Sequence, residues 1–363
     1  MRIAVLGVGL IGGSVGLAAR NRLGAEVVGF DPDAANRERA LEVGALDRIA
    51  EALAEAVAGA DVVFCAAPVA ALPSLVAEAV ASVGGEAVVT DVGSTKLQVI
   101  AALPESARER FIGGHPLAGA ETAGVENARA DLFEGARWYL TPTERSGGLQ
   151  YDRLQRTVAD LGARPQAIDP EAHDRLMATV SHLPHVIANV LVQTAAAALA
   201  EESEHLPEVG PSFRDTTRVA GANPPIWEDI YAANSDAVAD AIDAVSTRLG
   251  EASRLIRAGE APEVGRWHRA AGEDRRRLLE AGSAGGSLHA LQVAVENRPG
   301  IVAEIALALG RERVNIEDMA LYPATDMNTG AITLWVAGAD EADRAAAVIR
   351  GLGHSVAIAG RED

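Results

Sequence analysis

The sequence predicts an α/β domain with a doubly wound parallel sheet, followed by an all-α domain and a smaller C-terminal βαββαβ domain. Three observations predict this order. A glycine-rich turn at residues 7–14 separates a strand from a helix, strands and helices then alternate to residue 168, and strand patterns vanish between residues 171 and 279 before returning after residue 288. With 363 residues, the chain can hold two or three domains with separate cores.

The first element is an apolar strand at residues 2–6 that ends in the pattern G-x-G-x-x-G. Between a strand and a helix, this pattern is typical of a Rossmann-type dinucleotide-binding turn. Gly7 permits the tight turn, Gly9 lets a pyrophosphate approach the backbone, and Gly12 lets the helix pack on the strand. The N-terminus of that helix attracts the phosphate charge. The predicted cofactor-binding residues of this turn are Gly7, Gly9, Leu10, Ile11 and Gly12.

A second strand at residues 26–30 ends in Asp31, about twenty residues beyond the glycines, as the dinucleotide pattern requires. A carboxylate at this position accepts hydrogen bonds from the adenosine ribose and repels a 2′-phosphate, which favours NAD over NADP. The alternative interpretation of Asp31 is a turn residue before Pro32.

Composition and charge exclude several classes of protein. The formal net charge of −19 argues against nucleic acid or an anionic membrane surface as a partner. The single cysteine, Cys65, lies in an apolar strand pattern, so we expect a buried thiol and no disulfide. The N-terminus shows no signal-peptide pattern and no apolar segment reaches the ~18 residues of a membrane span, so we expect a cytoplasmic protein.

After Asp31 the alternation continues, and in a parallel sheet the ligands lie beyond the carboxyl ends of the strands. This rule points to the loops that begin at Ala67 and Pro68, at residues 91–94, and at His115. The predicted strands are 61–66, 87–91, 111–114, 136–141 and one that ends at 167, and the predicted helices are 34–43, 72–82 and 94–103.

From residue 171 to about 279 the pattern is helical only. Pro184 interrupts the first long run, and the apolar faces could bury against a second subunit, so we expect a homodimer. The predicted helices are 171–202, 225–256 and 262–279. The predicted domains are 1–168, 169–281 and 288–363, with 282–287 as a linker.

A new pattern begins after residue 287. The order of its elements is βαββαβ, that of a ferredoxin-like split unit. The predicted elements are strand 288–296, helix 301–311, strands 315–322 and 331–336, helix 340–352 and strand 355–359.

His115 is the first candidate for a general base, because it stands at a predicted ligand-side strand end and histidine suits proton transfer near neutral pH. His173 opens the helical region. His182 and His185 share one helical face, where ligand contact and a satisfied core position are equally good interpretations. No H-E-x-x-H pattern accompanies them, so we expect no metal site.

The segment F-R-D-T-T-R at residues 213–218 offers two arginines in an apolar helical region. Arg214 and Arg218 could clamp a carboxylate in bidentate fashion. A structural pair of Asp215 with Arg218 at i, i+3 is an equally good alternative.

Five motifs, taken in order, carry a family resemblance. They are G-V-G-L-I-G-G-S at 7–14, D-V-G-S-T-K at 91–96, H-P-L-A-G-A-E-T-A-G-V-E at 115–126, S-H-L-P-H at 181–185 and F-R-D-T-T-R at 213–218. Together they cover residues 1 to about 280 and resemble the prephenate dehydrogenases of tyrosine biosynthesis. The motifs E-N-R-P-G-I at 296–301 and V-N-I at 314–316 resemble an ACT domain, a small amino-acid-sensing module.

The resemblance implies an NAD-dependent oxidoreductase that acts on a CH–CH group and converts prephenate to 4-hydroxyphenylpyruvate and CO2. His115 would accept the proton of the C4 hydroxyl, Ser94 would orient that hydroxyl and the nicotinamide, and Arg218 would pair with a carboxylate. Such a base contributes about 10²- to 10⁴-fold. The further substrate residues that the resemblance implies are Glu121, Ser181, His182, His185, Asp215 and Trp227, and Ala67, Pro68 and Ser94 would join the cofactor site.

Three alternatives stay open. Relatives in the family accept arogenate, in which an amine replaces the side-chain ketone, and Glu121, Asp215 or Asp229 could hold its ammonium group. A β-hydroxyacid dehydrogenase would need a lysine on the first long helix, and residues 171–202 contain none. A non-catalytic protein that responds to NAD and amino acids would need no base.

The ACT resemblance implies feedback regulation, with tyrosine as the expected effector. Residues 297–300 would place free backbone amides at a helix N-terminus, which suits an amino-acid carboxylate. An extra dimerisation domain without a ligand is the alternative. The predicted effector-binding residues are Asn297, Pro299, Gly300, Asn315 and Ile316.

Overall fold

The computed structural model describes residues 1–119, 122–202, 209–282, 288–296, 298, 301–316, 318–323 and 329–359. Four residues predicted for binding, Glu121, Asn297, Pro299 and Gly300, lie outside the described residues. The chain divides into two compact units, residues 1–249 and residues 250–363.

The first unit opens with a parallel sheet and the helices that cover it. The strands are β1 (Arg2–Leu6), β2 (Glu26–Phe30), β3 (Arg48–Ile49), β4 (Val62–Cys65) and β5 (Val88–Asp91). The helices are α1 (Leu10–Ala18), α2 (Ala34–Glu42), α3 (Leu53–Val57), α4 (Leu72–Ser82) and α5 (Leu97–Ala101). The strand order is β3-β2-β1-β4-β5, so the chain begins in the middle of the sheet and winds outward to both edges.

The central strand shows why these residues form a doubly wound sheet. Ile3 and Val5 pack in the core on one face, whereas Ala4 and Leu6 pack in the core on the other. All four are fully buried, which explains the continuous apolar run, since a parallel sheet is covered on both faces. The predicted α/β class is confirmed.

The strand that carries His115 departs from the prediction. It is β6 (Gly113–Pro116), which contains His115 rather than ending before it, and it lies outside the parallel sheet. It pairs antiparallel with β7 (Arg137–Thr141), and α6 (Gly148–Asp160) then leads to β8 (Arg164–Ala167), which pairs parallel with β7. The predicted strand 111–114 therefore joins the parallel sheet only at its start, where Phe111 forms a parallel bridge with Val89 of β5, and it continues as β6 in the antiparallel pair.

A glycine explains the departure. A Cβ on Gly114 would meet the carbonyl oxygen of Asp91 at 2.5 Å, closer than real side chains approach. Glycine alone therefore lets β6 pass close to the end of β5 instead of extending the parallel ladder.

The region after residue 169 is helical, as predicted, but its helices begin and end at other residues than predicted. The first run consists of α7 (Pro170–Met177), a π-helical turn (Ala178–His182) and α8 (Leu183–Glu202). Pro184 lies just after the π-helical turn in a helix that stays continuous from α7 to α8, so its missing N–H falls where the helical hydrogen bonding changes. The next elements are α9 (Pro211–Thr217), α10 (Pro224–Ala233), α11 (Ser235–Ala258) and α12 (Ala261–Gly282).

The predicted single helix at 225–256 is two helices. Asn234 separates α10 from α11 because its backbone leaves the helical region, with φ −132° and ψ 31°. Its side chain is drawn instead into contacts with α7 and the π-helical turn. The break is therefore made by a tertiary contact.

The run Pro170–Ala198 is long and apolar enough to cross a membrane by length and composition, contrary to the sequence expectation. The same composition suits a helix packed inside a protein, and this run carries the buried polar side chains of His173, Asp174 and His182. Composition alone gives weak support to a membrane span here.

The second unit contains the predicted βαββαβ order. Its elements after α12 are β9 (Leu288–Glu296), α13 (Ile301–Arg311), β10 (Asp318–Pro323), β11 (Thr329–Ala337), α14 (Ala339–Gly351) and β12 (Ser355–Ile358). The antiparallel strand order is β10-β11-β9-β12. Ile305 and Ile349 from the helices pack on Leu291 and Val293 of β9, which forms the core of this sheet.

Candidate active site

The glycine turn has the backbone geometry that a dinucleotide requires. Gly7 has φ +93°, and a Cβ there would meet the Ala66 carbonyl oxygen at 2.3 Å. A Cβ on Gly12 would meet the Gly7 carbonyl oxygen at 1.9 Å, whereas a Cβ on Gly9 would have no described atom within 4 Å. Gly7 and Gly12 thus shape the turn, and Gly9 leaves the backbone open to a pyrophosphate, so these residues fit NAD.

Asp31 ties the turn to the end of β2. Its carboxylate is 8% exposed and accepts hydrogen bonds from the backbone N–H of Val8 at 2.9 Å and of Asp33 at 3.0 Å. Arg37 donates to the Asp31 carbonyl oxygen at 2.6 Å and pairs with Glu51 at 3.0 Å. Asp31 therefore also acts as a turn residue, and its predicted contact with the ribose stays a prediction.

A cleft of about 600 Å³ begins at the glycine turn. It is lined by Gly9, Leu10 and Ile11 of the turn, by Ala67 and Pro68 after β4, by Ser94 after β5, by His115 of β6, and by Pro225, Ile226, Asp229 and Ile230 of α10. The predicted base therefore shares one cleft with six of the predicted cofactor residues, and we call it the catalytic cleft.

Ser94 presents an unsatisfied polar atom at this cleft. Its hydroxyl oxygen is buried and has no hydrogen-bond partner among the described residues. Buried hydroxyls are nearly always paired, so one beside a ligand cleft is suited to a ligand. Ser94 therefore fits the predicted role of orienting a substrate hydroxyl or the nicotinamide.

The ring of His115 is hydrogen-bonded away from the cleft. Its Nδ1 lies 2.9 Å from Nε2 of His173, whose Nδ1 lies 2.8 Å from Oδ1 of Asp174. His173 and Asp174 are 0% and 1% exposed. These three side chains form a buried line from α7 to the catalytic cleft.

A buried ion pair lies next to this line. Lys96 and Asp91 are both fully buried, and the Lys96 ammonium contacts the Asp91 carboxylate and donates to the Gly114 carbonyl oxygen at 2.6 Å. The Asp91 carboxylate also accepts the backbone N–H of Gly93 at 2.9 Å and of Gly114 at 3.1 Å. The pair therefore fixes the loop of Ser94 against the strand of His115.

The surroundings of His115 keep its ring neutral. Burial lowers the pKa of His115 well below its ordinary value of 6.5, and the His173 ring, the Lys96 ammonium and the His182 ring act in the same direction. A neutral imidazole can accept a proton, so this environment suits a general base at neutral pH.

A second group of side chains forms around Trp227 of α10. The His185 ring stacks on Trp227 with 3.7 Å between ring centres, and His182 meets Trp227 edge-on at 6.0 Å. Burial lowers the pKa of His185, and the charge of Arg218 acts in the same direction, while the hydrogen bond with the Val219 backbone opposes both. Arg218 thus lies near these rings, as expected of a substrate pocket.

Asn234 connects this aromatic group to the buried line of His115, His173 and Asp174. Its side-chain Nδ2 donates to the Asp174 carbonyl oxygen at 2.8 Å and faces Nδ1 of His182 at 3.3 Å. Nδ1 of His182 must accept this bond, so the neutral ring carries its proton on Nε2. That nitrogen is buried without a partner in the described part of the chain, and it is suited to donate to a ligand.

Other predicted residues are placed less centrally. Ser181 is half-buried in the π-helical turn, and Asp215 is exposed on α9. Arg214 donates to the Val209 carbonyl oxygen at 2.9 Å and 3.2 Å, a structural contact that leaves the predicted two-arginine clamp without support. In the second unit, Asn315 is exposed and Ile316 packs against the apolar core.

Sequence reasoning missed the roles of Asp174, Lys96 and Asn234, and gave His173 no partner. One signal was available in the helix at 170–177. His173 stands four residues before the buried Met177, and Asp174 four before the buried Ala178, so both polar residues occupy core positions of an amphipathic helix. Polar side chains at such positions indicate a buried network.

Family models match most of the chain. The model described as "Prephenate dehydrogenase, nucleotide-binding domain" matches residues 15–167, and "Prephenate dehydrogenase, dimerization domain" matches residues 169–270. The model "AHAS small subunit-like ACT domain" matches residues 291–353.

Individual proteins are similar over comparable lengths. Prephenate dehydrogenase of Bacillus subtilis is 30% identical over 358 residues, which cover 94% of each chain. The structure of Synechocystis arogenate dehydrogenase is 29% identical with a TM-score of 0.69, and covers 77% of this chain and 100% of that one. The structure of prephenate dehydrogenase from A. aeolicus, in complex with hydroxyphenyl propionate and NAD+, is 29% identical with a TM-score of 0.69, and covers 77% of this chain and 98% of that one.

The glycine turn and the order of the domains agree with these matches. The nucleotide-binding and dimerization models together span well over half of the sequence, and the Bacillus subtilis relative spans nearly all of it. The chain therefore belongs to the prephenate dehydrogenase family, as a dehydrogenase that binds NAD and carries an ACT domain.

Proposed function

We propose that this protein oxidatively decarboxylates prephenate to 4-hydroxyphenylpyruvate and CO2, with reduction of NAD to NADH. The observation that carries the proposal is the position of His115. Its neutral ring lines the same cleft as Gly9 of the cofactor turn and the unpaired hydroxyl of Ser94. A base beside a nicotinamide can take a hydroxyl proton while the adjoining carbon loses hydride.

The main task of the protein in this reaction is to align the reacting groups. Prephenate bears a hydroxyl at C4, a carboxylate at C1 and a pyruvyl side chain. NAD, when bound, accepts the hydride of C4. His115 takes the hydroxyl proton, the bond from C1 to the carboxylate breaks, and the ring becomes aromatic, which drives the reaction. The residues act by orienting these groups.

Each further residue has one task in this proposal. Ser94 orients the C4 hydroxyl and the nicotinamide. Arg218 pairs with a substrate carboxylate, for which a guanidinium has the matching fork. His182 donates from Nε2, and His185 and Trp227 form the apolar wall beside it.

Arogenate is the second candidate substrate, and Asp229 favours it. This carboxylate lies on α10 at the catalytic cleft and accepts the Ala70 N–H at 3.4 Å. An ammonium group in the side chain of arogenate could pair with it. Cyclohexadienyl and arogenate dehydrogenases also occur among the similar proteins.

The decisive experiment compares the two substrates on the purified enzyme by NADH absorbance, each with NAD and with NADP. We expect turnover of prephenate with NAD. A preference for arogenate would keep the base and move the specificity to Asp229, and an Asp229→Asn variant would then lose that preference. Turnover of neither substrate would contradict the proposed function and favour a non-catalytic protein.

We also propose feedback inhibition by tyrosine through the ACT domain. A cavity of about 700 Å³ lies beside Glu296, Arg298 and His354, and the first two adjoin predicted effector residues in the sequence. Isothermal titration should give heat with tyrosine, and tyrosine should inhibit turnover. An absence of heat with tyrosine, phenylalanine and tryptophan would contradict regulation and leave a dimerisation domain.

A homodimer in the cytoplasm completes the proposal. Val190 of α8 is 52% exposed and Leu249 of α11 is 59% exposed, in a region that matches a dimerization model. A second subunit would bury such apolar side chains. Light scattering at micromolar concentration should give twice the mass of the chain, and a monomer mass would contradict the dimer.

A further inference from the structure

We propose that Asp174 and His173 are positioning residues that hold the proton-accepting nitrogen of His115 toward the substrate and stabilise the charge that His115 gains in the reaction. We call Asp174, His173 and His115 the relay. The inference deepens the proposed function and rests on it, because the relay serves a reaction in which His115 takes a proton.

The hydrogen bonds of the relay fix which nitrogen is free. An ionised carboxylate only accepts, so His173 must donate to Asp174 from Nδ1. Nε2 of His173 then carries a lone pair and accepts from Nδ1–H of His115. His115 is thereby held with Nε2 unprotonated, and its ring lines the catalytic cleft. Without the carboxylate, no contact in the line would select this tautomer.

The backbone holds the carboxylate itself in place. Asp174 Oδ1 accepts the N–H of Lys96 at 2.9 Å, and Oδ2 accepts the N–H of Leu97 at 2.9 Å. These residues follow Ser94 closely in the chain. The same carboxylate therefore sets the tautomers of the relay and positions the loop that carries Ser94.

The positive charge near the relay opposes protonation of His115, so the Asp174 carboxylate is needed to stabilise the protonated ring. The Lys96 ammonium, itself paired with Asp91, opposes the protonation of His115. Asp174 is the carboxylate in direct contact with His173, beside the edge of the Tyr139 ring at 5.7 Å. A negative charge at the far end of the line stabilises the imidazolium during the reaction.

His115 has to hold the proton only between the loss of the hydride and the formation of the phenolate. The O–H bond at C4 breaks as the hydride leaves, and the proton moves to Nε2 of His115. The C1–carboxylate bond then breaks, its electron pair makes the ring aromatic, and the phenolate oxygen takes the proton back. No proton is lost in the cycle, so a buried line without an exit to solvent is sufficient.

The first test is Asp174→Asn in the full-length enzyme. The amide oxygen can still accept from the Lys96 and Leu97 N–H groups, which leaves the amide NH2 facing His173 and reverses both tautomers. We expect kcat to fall about 10²- to 10⁴-fold with unchanged KM for substrate and NAD. The acid limb of the kcat/KM profile should move to lower pH, because the charge that favours the imidazolium is gone.

A matched control lies on the same helix. Asp169→Asn removes a carboxylate that also holds a backbone N–H, that of Ala172 at 2.9 Å, but lies outside the relay. We expect unchanged kcat and an unchanged pH profile. Two results would overturn the relay and leave Asp174 a structural role only. In the first, Asp174→Asn behaves like this control. In the second, it raises KM and the acid limb of the pH profile does not move.

A second variant covers the case in which Asp174→Asn does not fold. His173→Gln offers Oε1 to the Nδ1–H of His115 but cannot carry charge, whereas His173→Leu offers no acceptor. The proposal expects His173→Gln to retain at least tenfold more kcat than His173→Leu, a difference of about 1.4 kcal/mol. Equal activities of the two variants would contradict it.

A measurement without turnover separates the relay from the proposed function. In ¹⁵N spectra of histidine-labelled protein, with His115 assigned by its absence from His115→Asn, we expect the Nδ1–H tautomer in the wild type and the Nε2–H tautomer in Asp174→Asn. A wild-type Nε2–H tautomer would overturn the relay even if prephenate is turned over. The expected tautomer without turnover of either substrate would overturn the proposed function alone.

Discussion

The two units of this protein bury different kinds of side chain. The first unit buries Asp91, Lys96, His173, Asp174 and His182 around the ends of its strands. In the described part of the second unit, the polar side chain that is buried is Thr333, and the remaining core is apolar. Buried charges cost several kcal/mol unless they are paired. The first unit therefore buries ionisable side chains that can serve a reaction, although their burial destabilises the fold unless they are paired. The described core of the second unit avoids this destabilisation.

Replacement of the base should give the largest effect. In His115→Asn the proton acceptor is lost while the cleft keeps its shape, so we expect kcat to fall about 10²- to 10⁴-fold with NAD binding unchanged. Steady-state kinetics and NAD titration measure the two quantities. The exposed His268 of the second unit supplies the control, since His268→Asn should keep full activity. Comparable activity of both variants would contradict the assignment of His115.

The buried ion pair offers a stability test of the same unit. Lys96→Met leaves the Asp91 carboxylate buried without its cation, which should cost about 3–5 kcal/mol of unfolding free energy. Urea denaturation measures this loss. Asp91→Asn together with Lys96→Met removes both charges, so the double variant should be more stable than the single one. A single variant as stable as the wild type would show that the pair is dispensable.

The apolar core of the second unit should respond through packing alone. Ile305 is fully buried in α13, and Ile305→Ala should destabilise this unit by about 2–5 kcal/mol through the cavity that it leaves. Hydrogen exchange by mass spectrometry should show faster exchange in β9 but not in β1. Turnover without tyrosine should stay unchanged. Loss of turnover in Ile305→Ala would contradict the separation of the two units.

Arg218→Lys should have a smaller effect, on binding. Lysine keeps the positive charge but cannot form the two parallel hydrogen bonds of a guanidinium, so we expect KM for substrate to rise about tenfold with kcat nearly unchanged. The matched control is Arg214→Lys, since Arg214 contacts a backbone carbonyl. An equal KM for the wild type and Arg218→Lys would remove Arg218 from the substrate site.

Local patterns predicted the fold and the cofactor turn because both depend on residues close in sequence. The glycines at 7, 9 and 12 need only their own backbone, and the alternation of strands and helices reports burial directly. The position of β6 was not predictable in this way. It depends on contact of Gly114 with Asp91, more than twenty residues away, which no local pattern reports.

The candidate site was predictable in its single residues but not in their connections. Sequence motifs predicted Ser94, His115 and Arg218 as site residues, because each lies within one of the motifs that carry the family resemblance. The partners Asp174 and Asn234 come from helices distant in sequence from His115. Their roles follow from contacts across the fold, 2.9 Å between His115 and His173 and 2.8 Å between Asn234 and Asp174. Sequence periodicity can show that such residues lie on a buried face, but it does not show which side chains they contact.

The smallest expected effect is a pH dependence of stability that belongs to the first unit. Burial lowers the pKa of His182 from 6.5 to about 4, and it lowers the pKa of His115 and His185 as well. A histidine whose pKa is lower in the folded state than in the unfolded state binds more protons when unfolded. Stability is therefore full above pH 6.5 and falls as the pH drops from about 6.5 towards 4.

This dependence can be measured as the melting temperature across that range. In His182→Gln one of the three depressed groups is gone, so the melting temperature of the first unit should fall less steeply between pH 6.5 and 4 than in the wild type. Trp138 and Trp227 report on the first unit, whereas Trp267 and Trp335 report on the second. An unchanged slope in His182→Gln would mean that its ring is not held neutral by burial. Any greater acid sensitivity of the first unit would then have to come from His115 and His185.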